Sequence, residues 1–547
     1  MRAPYREILD RIRLAFPQPT SDRVHDSYVV HSIMRALDQV DALKSEVPIL
    51  GKSGPIDFES VRTHWQALKP STIEEVTAEL VRFLDGMPIF GHPRSQANVV
   101  PPSSIASIIG VLLASLYNPN LTSDEFSERV AVAEVEACAI AAQLVGYNPN
   151  SAAGVFTFGG TATALYGVKI GLEKACPGAM ADGTPPNVVL CGSDTSHYCR
   201  YTAAGWLGIG TKNLISVPSR PDNAIDLKEL ERSCRQALDQ GKRLACLIAT
   251  LGTTDAFGLD DLAGMAALRD QLVRDYDLPY TPHLHADAVI GWAWSVFKDY
   301  DIEENPLGFR RRTVRALAGV CRHIRHLHLA DSIGIDFHKT GFAPYISSLI
   351  LVRDQHDFAL LRRHAEQMPY LYHHGDYHPG TFTLETSRAG TGVLAAWANL
   401  RLFGKEGMQA TLGHLVEMAQ LLREHLEGHQ ATAVLNRDNF GTVTLFRVYP
   451  PNVDTFAIKE HEFEDPAHRD SLRQHNAYNR RVYEYVHREA SAGRGVMISL
   501  TDCYRHTAYG EPIVALKTYI LSPFVDEQHI EVVVQKVLEA REQIDAG

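Results

Sequence analysis

Residues 330–354 read ADSIGIDFHKTGFAPYISSLILVRD. An apolar–polar alternation runs up to Asp336, a lysine follows at 339, and an apolar, β-branched run occupies 346–352. Both patterns indicate strands, so Lys339 is predicted at a strand–loop junction. No charged residue follows it before Arg353. Burial in such surroundings disfavours the ammonium form, depresses the amine pKa and leaves a nucleophile. Capture of a carbonyl as a Schiff base is the chemistry that uses such an amine. The plainer alternative is a lysine whose stem packs while its amine reaches water.

Upstream, short apolar runs at 187–191, 214–217, 244–250, 283–286 and 326–329 alternate with helical stretches such as DLKELERSCRQALDQG. That alternation predicts an α/β fold with a mostly parallel sheet and crossover helices. Ligands of such sheets sit in the loops beyond the strands' carboxyl ends. Residues 1 to about 90 read as helices, and long helices are predicted from Ser123 to Gly146 and over 392–428. Strands at 441–448 and 513–522, with helices at 475–490 and 526–542, complete a smaller α+β domain. The stretch 450–470, rich in Asp, Glu and Pro, reads as a surface excursion.

At 547 residues the chain is long enough for three or so domains of roughly 150 residues. A formal charge of −12 with no long basic run argues against a nucleic-acid surface. The eight cysteines form no CxxC pair, which points to a reducing compartment. The amino terminus, MRAPYREILDRIRLAF, is amphipathic and lacks the apolar core of a secretory signal. No run approaches the roughly 18 apolar residues of a membrane span. A cytoplasmic protein with no membrane partner is therefore expected.

Three further stretches carry chemistry. GVFTFGGTATALYGVKIGLEKA places a double glycine and Thr161-Ala162-Thr163 at a helix start, a ready phosphate or carboxylate site, or simply a Thr cap after a glycine turn. In CGSDTSHYCRYTAAGWLGIG, His197 follows a strand end, where an imidazole can stack on a flat ring, act as an acid–base group or be a satisfied core residue. In ATLGTTDAFGLDDL and HLHADAVIGWAW, Thr253 and Thr254 end one strand and Asp287 ends the next. A lone carboxylate in apolar surroundings needs a partner, and a protonated heterocyclic nitrogen is one; capping a loop is the alternative. Taken in order, an anion cradle, a stacking His, an acidic strand end and a lysine match a phosphate, a ring face, a ring nitrogen and an aldehyde. Pyridoxal phosphate (PLP) has all four.

These motifs resemble those of the fold-type I PLP enzymes, in particular the group II amino-acid decarboxylases acting on glutamate, aromatic amino acids and tyrosine. The similarity runs from His92 to Gly407. It implies a large, mostly parallel seven-stranded sheet domain (96–385), a smaller C-terminal α+β domain (386–547) and a helical N-terminal segment (1–95) that forms a dimer arm. SDTSHYCRYTAAGWLG resembles the family's SD-x-x-H segment and makes His197 the ring-stacking histidine. ADSIGIDFHK makes Lys339 the Schiff-base lysine, with His338 near the phosphate. HADA makes Asp287 the pyridinium partner, followed by Ala288, and ATLGTT adds Thr254. GGTAT implies that Thr161, Ala162 and Thr163 hold the phosphate, and HPR places His92 and Arg94 near the substrate. Two positions depart from the animal aromatic decarboxylases: Asp336 stands where they have Asn, and TSRAG (386–390) resembles the G-[ST]-R-x-G element of bacterial and archaeal tyrosine or aspartate decarboxylases. Sphingosine-phosphate lyases share both features.

The resemblance implies decarboxylation of an L-amino acid, aromatic such as tyrosine or acidic such as glutamate or aspartate. Arg388 is the candidate for the substrate carboxylate, its planar fork matching one, with a structural ion pair as the alternative. HAEQMPYLYHHGDYHPG (364–380) resembles the family's mobile loop and offers Tyr370, then Tyr372, as the acid that protonates Cα. A C2 homodimer with active sites at its interface is implied. Two alternatives stand beside this reading. An aldehyde lyase would keep the cofactor and break a carbon–carbon bond. A metalloenzyme would use the clustered histidines, but no HExxH or three-ligand spacing is present, so no metal is expected.

Overall fold

The computed structural model describes residues 13, 21–63, 70–369 and 371–546. At its centre is a seven-stranded sheet of β1 (Ala153–Thr157), β2 (Val188–Ser193), β3 (Leu214–Val217), β4 (Arg243–Thr250), β5 (His283–Asp287), β6 (Ser332–Asp336) and β7 (Ser348–Val352). Their order is β1-β7-β6-β5-β4-β2-β3. The run from β6 to β3 is parallel, and β7 is antiparallel to both β1 and β6. A sheet covered on both faces needs apolar residues on both. Along β4 alternate residues enter different apolar clusters, Leu247 and Ala249 on one side and Cys246 and Ile248 on the other.

Three helices frame the site: α1 (Arg129–Val145), α2 (Gly160–Ala175) and α3 (Cys199–Trp206). Helix α2 lies on β4 to β7. It comes close because Gly167 and Gly171 face the sheet; a Cβ at Gly167 would strike the His285 ring. A second, antiparallel sheet has the order β10-β11-β9-β8, from β8 (Thr432–Val434), β9 (Val443–Val448), β10 (Ser499–Thr501) and β11 (Ala515–Tyr519). Residues 94–96 join its edge. Met497 N–H donates to the Arg94 carbonyl, and Tyr519 N–H to that of Gln96, at 2.8 and 2.7 Å.

Three local expectations change, and a fourth gains a buried exception. The run 326–329 is a 3-10 turn (Leu327–Leu329) closing the preceding helix, and the strand begins only at Ser332; a short apolar run does not distinguish the two. The helix predicted from Ser123 breaks at Glu128, whose φ is 43°. The helix Thr391–Glu427 is interrupted at Gly404, where φ of 55° suits glycine. The 450–470 stretch lies at the surface over most of its described residues, as expected, but holds a helix, Thr455–Glu464, whose Glu462 is fully buried.

Candidate active site

The carboxyl ends of β5 and β6 and the loops after β2 and β4 enclose a cavity of about 640 Å³. Lys339, His338 and Asp336 reach it from the end of β6, and Asp287 from the end of β5. Thr254 comes from the loop after β4, His197 from that after β2, and Gly160 and Thr161 from the start of α2. These groups, separated by up to about 180 positions in sequence, therefore share one wall.

Lys339 Nζ lies 3.0 Å from Asp336 Oδ2. Burial acts to lower the amine pKa, but the charges of Asp336 and Asp287 outweigh it, and the net direction is upward. The expectation of a depressed lysine pKa is thus corrected. Desolvation was legible in the sequence; the Asp336 contact and the added charge of Asp287 were not.

Asp287 is buried. Cys199 Sγ is 3.7 Å from its Oδ2, while Oδ1 has no hydrogen-bond partner among the described residues. A buried carboxylate oxygen without a donor is costly, so the site calls for an N–H or O–H group at this point. His197 is fixed in place, its Nδ1 accepting the Cys199 N–H at 3.2 Å and its ring 3.9 Å from that of Tyr198. Burial holds its pKa below the ordinary value, so it presents a neutral flat ring. Burial does the same to His338, whose ring lies 4.1 Å from that of Tyr345.

Helix α2 begins after Gly159, whose φ is 122°. Its free first-turn N–H groups make an anion site. Within GGTAT only Gly160 and Thr161 line the cavity. Ala162 is fully buried, and the Thr163 hydroxyl donates to the Gly160 carbonyl at 2.7 Å while packing against Gly334. Ala288 is also buried, its N–H donating to the Ala286 carbonyl, and the neighbouring Val289 takes the wall.

The predicted substrate contacts lie elsewhere. Arg388 is buried away from the cavity wall and paired with Glu134, so the ion-pair alternative describes its surroundings. His92 and Arg94 are also off the wall, the His92 Nδ1 accepting the Arg94 N–H at 3.1 Å. Their segment reaches the cavity through Asn98 and Val99. Tyr372 is off the wall too, its hydroxyl 3.4 Å from that of Thr122. Tyr370 lies outside the described residues. Sequence reasoning missed Asp255 and Tyr345, both on the wall. Asp255 directly follows the Thr253-Thr254 pair, a signal that was available; Tyr345 arrives through the turn after Lys339 and left none.

The family model for the pyridoxal-dependent decarboxylase conserved domain matches residues 68–298 and 314–448, more than half of the chain. The chain belongs to the pyridoxal-dependent decarboxylase family. Over 470 residues the decarboxylase is 26% identical to the L-2,4-diaminobutyrate decarboxylase of Acinetobacter baumannii, covering 83% of this chain and 81% of that protein. It is 28% identical to the L-tyrosine decarboxylase of Enterococcus faecium over 249 residues, 43% of this chain and 40% of that one. Its fold matches the crystal structure of Oryza sativa TDC with PLP and tryptamine at a TM-score of 0.75 and 18% identity, covering 96% and 99% of the two chains. The decarboxylase is a PLP-dependent carboxy-lyase acting on an amino acid, and neither relative supports the aldehyde-lyase alternative. The residues present fit PLP: the unpartnered Asp287 Oδ1 suits a protonated ring nitrogen, and the start of α2 suits a phosphate. Among the described residues no helix is long and apolar enough to cross a membrane.

Proposed function

We propose that the enzyme releases the α-carboxylate of an aromatic or acidic L-amino acid as carbon dioxide, with Lys339 carrying the cofactor and Asp287 facing its ring nitrogen. The observation that carries this reading is the presence, in one cavity, of a lysine whose side chain is only 17% exposed and a buried carboxylate oxygen with no hydrogen-bond partner among the described residues. Bound PLP supplies an electron sink for the electron pair left at Cα. Asp287 keeps a proton at the ring nitrogen, and His197 lays its neutral ring along the cofactor. The Gly160 and Thr161 N–H groups, the Thr254 hydroxyl and His338 hold the phosphate end, with Ala162, Thr163 and Ala288 backing them from the layer behind. Holding the cofactor at both ends, these residues would limit how the substrate can turn, and that orientation would select loss of the carboxylate.

His92 and Arg94 are proposed at the substrate rim because their segment enters the wall four residues later, at Asn98. Tyr370, then Tyr372, is the proposed acid returning a proton to Cα, on a loop whose closure excludes water. The proposed assembly is a C2 homodimer with the 1–95 segment as its arm. An apolar helix face supports it: Ile105, Ile108, Leu112 and Leu116 of the helix Ile105–Tyr117 are exposed. The proposed domains are 96–385 and 386–547, each holding one sheet. A cytoplasmic location is proposed on the eight cysteines, none of them in a disulfide.

The deciding experiment traps carbon dioxide from purified enzyme with PLP and single amino acids: tyrosine, glutamate, aspartate and, given the Acinetobacter relative, 2,4-diaminobutyrate. Release from tyrosine or an acidic member supports the proposal. Release only from the diamino acid replaces the substrate class, and an aldehyde product without carbon dioxide revives the lyase.

A further inference from the structure

One buried carboxylate in the cavity has no task in the scheme above. Asp336 ends β6, three residues before Lys339, and is 1% exposed. Its Oδ1 accepts the Ser348 hydroxyl of β7 at 2.6 Å, a contact set by the antiparallel register that faces the two residues. Its Oδ2 lies 3.0 Å from Lys339 Nζ and 3.5 Å from His338 Nε2. The same oxygen abuts the start of α2, where a Cβ at Gly160 would come within 2.9 Å of it. The carboxylate therefore sits between the reactive amine and the helix terminus assigned to the phosphate.

We propose that Asp336 is a positioning residue that keeps a proton on the Lys339 nitrogen and holds that nitrogen beside the start of α2, so that proton loss from this pair gates covalent exchange at Lys339. The inference rests on the reading of Lys339 as the cofactor-bearing residue. Before Lys339 adds to an aldehyde, its ammonium must pass one proton to solvent. The freed lone pair then forms the carbon–nitrogen bond, and the aldehyde oxygen leaves as water with the two remaining amine hydrogens. A carboxylate locked at 3.0 Å opposes the first event and, after any step that frees the lysine, restores the ammonium.

The groups facing Lys339 give that carboxylate its weight. Asp287 of β5 adds a second negative charge, and Tyr345 approaches from the segment before β7. His338, His197 and Cys199 complete the surroundings, and burial favours the neutral form of each. Asp336 makes the one ion-pair contact with Nζ among the described residues. Asparagine has the same shape and can keep the Ser348 hydrogen bond without the charge.

Two readouts test this. The first is the pH titration of the cofactor absorbance band in holoenzyme, wild type against Asp336→Asn. The second is the pH profile of Lys339 acylation in the full chain after cofactor removal, read by peptide mass spectrometry with exposed Lys212 as internal reference. The expected result is a lower band midpoint in Asp336→Asn and several-fold faster Lys339 acylation in the variant near neutral pH. In the wild type, Lys339 is expected to react only at a higher pH than Lys212. Unchanged midpoints in the variant, or wild-type Lys339 reacting at lower pH than Lys212, would overturn the proposal. Absence of any band in the wild type would defeat the cofactor role of Lys339, while the acylation profiles of wild type against Asp336→Asn would still decide the role of Asp336. Should Asp336→Asn fail to fold, wild-type Lys339 reacting at lower pH than Lys212 would still overturn the proposal.

Discussion

Arg388 and Glu134 form a two-pronged ion pair inside the protein, Nη1 to Oε1 at 2.6 Å and Nη2 to Oε2 at 3.0 Å. The guanidinium also donates to the carbonyls of Phe156 and Leu121, and Glu134 accepts the Phe156 N–H and the Tyr377 hydroxyl. One buried pair thus ties α1, β1 and the 377–388 segment together, behind the cavity rather than in it.

Arg388→Ala should therefore act on stability. It leaves the Glu134 charge buried without its cation, a change that costs about 3–5 kcal/mol. Thermal unfolding of the variant should show a clearly lower midpoint. A normal midpoint together with a raised KM would return Arg388 to the substrate.

Lys339→Ala should abolish both carbon dioxide release and the cofactor absorbance band that depends on a lysine nitrogen. The spectrum of the purified variant with added PLP is the check. A band like that of the wild type would mean that another amine carries the cofactor.

Asp287→Ala should leave cofactor content nearly intact and lower kcat by roughly 10²-fold or more, the scale of losing one placed electrostatic contact in a dry site. Steady-state rates on saturating substrate test this. A rate within a few-fold of wild type would remove Asp287 from the chemistry.

Acid should destabilise the large sheet through its histidines. Burial pulls the His285 pKa from 6.5 down to about 4, and pulls His283 well below its ordinary value. Between those limits the unfolded chain binds more protons than the folded one, so stability present above pH 6.5 is lost as pH falls towards 4. For His285 this amounts to about 3 kcal/mol. Denaturant midpoints measured across that range should fall with pH, and His285→Gln should flatten the slope. An equal slope in the variant would place the loss elsewhere.

The strands at 187–191, 244–250 and 283–286 were legible because a covered parallel sheet demands near-continuous apolar runs, and such runs are visible in one dimension. The grouping of the candidate residues was legible for a related reason: strand-end residues of a parallel sheet converge in space, and Thr161, His197, Asp287 and Lys339 do line one cavity. The 326–329 run was misread because a closing turn and a short strand share the same apolar signature.

The sequence by itself determined the α/β architecture and which strand ends line the cavity, since these follow from periodicity and residue type. Only the tertiary structure decided the charge state and orientation of the site. Asp336 and Asp287 reverse the shift expected for Lys339, Thr163 turns back to Gly160, and Arg388 is claimed by Glu134. Apart from the charge of Asp287, each outcome depends on a partner held at 2.6–3.0 Å by folding, and electrostatic and hydrogen-bond energies depend on that separation rather than on spacing along the chain.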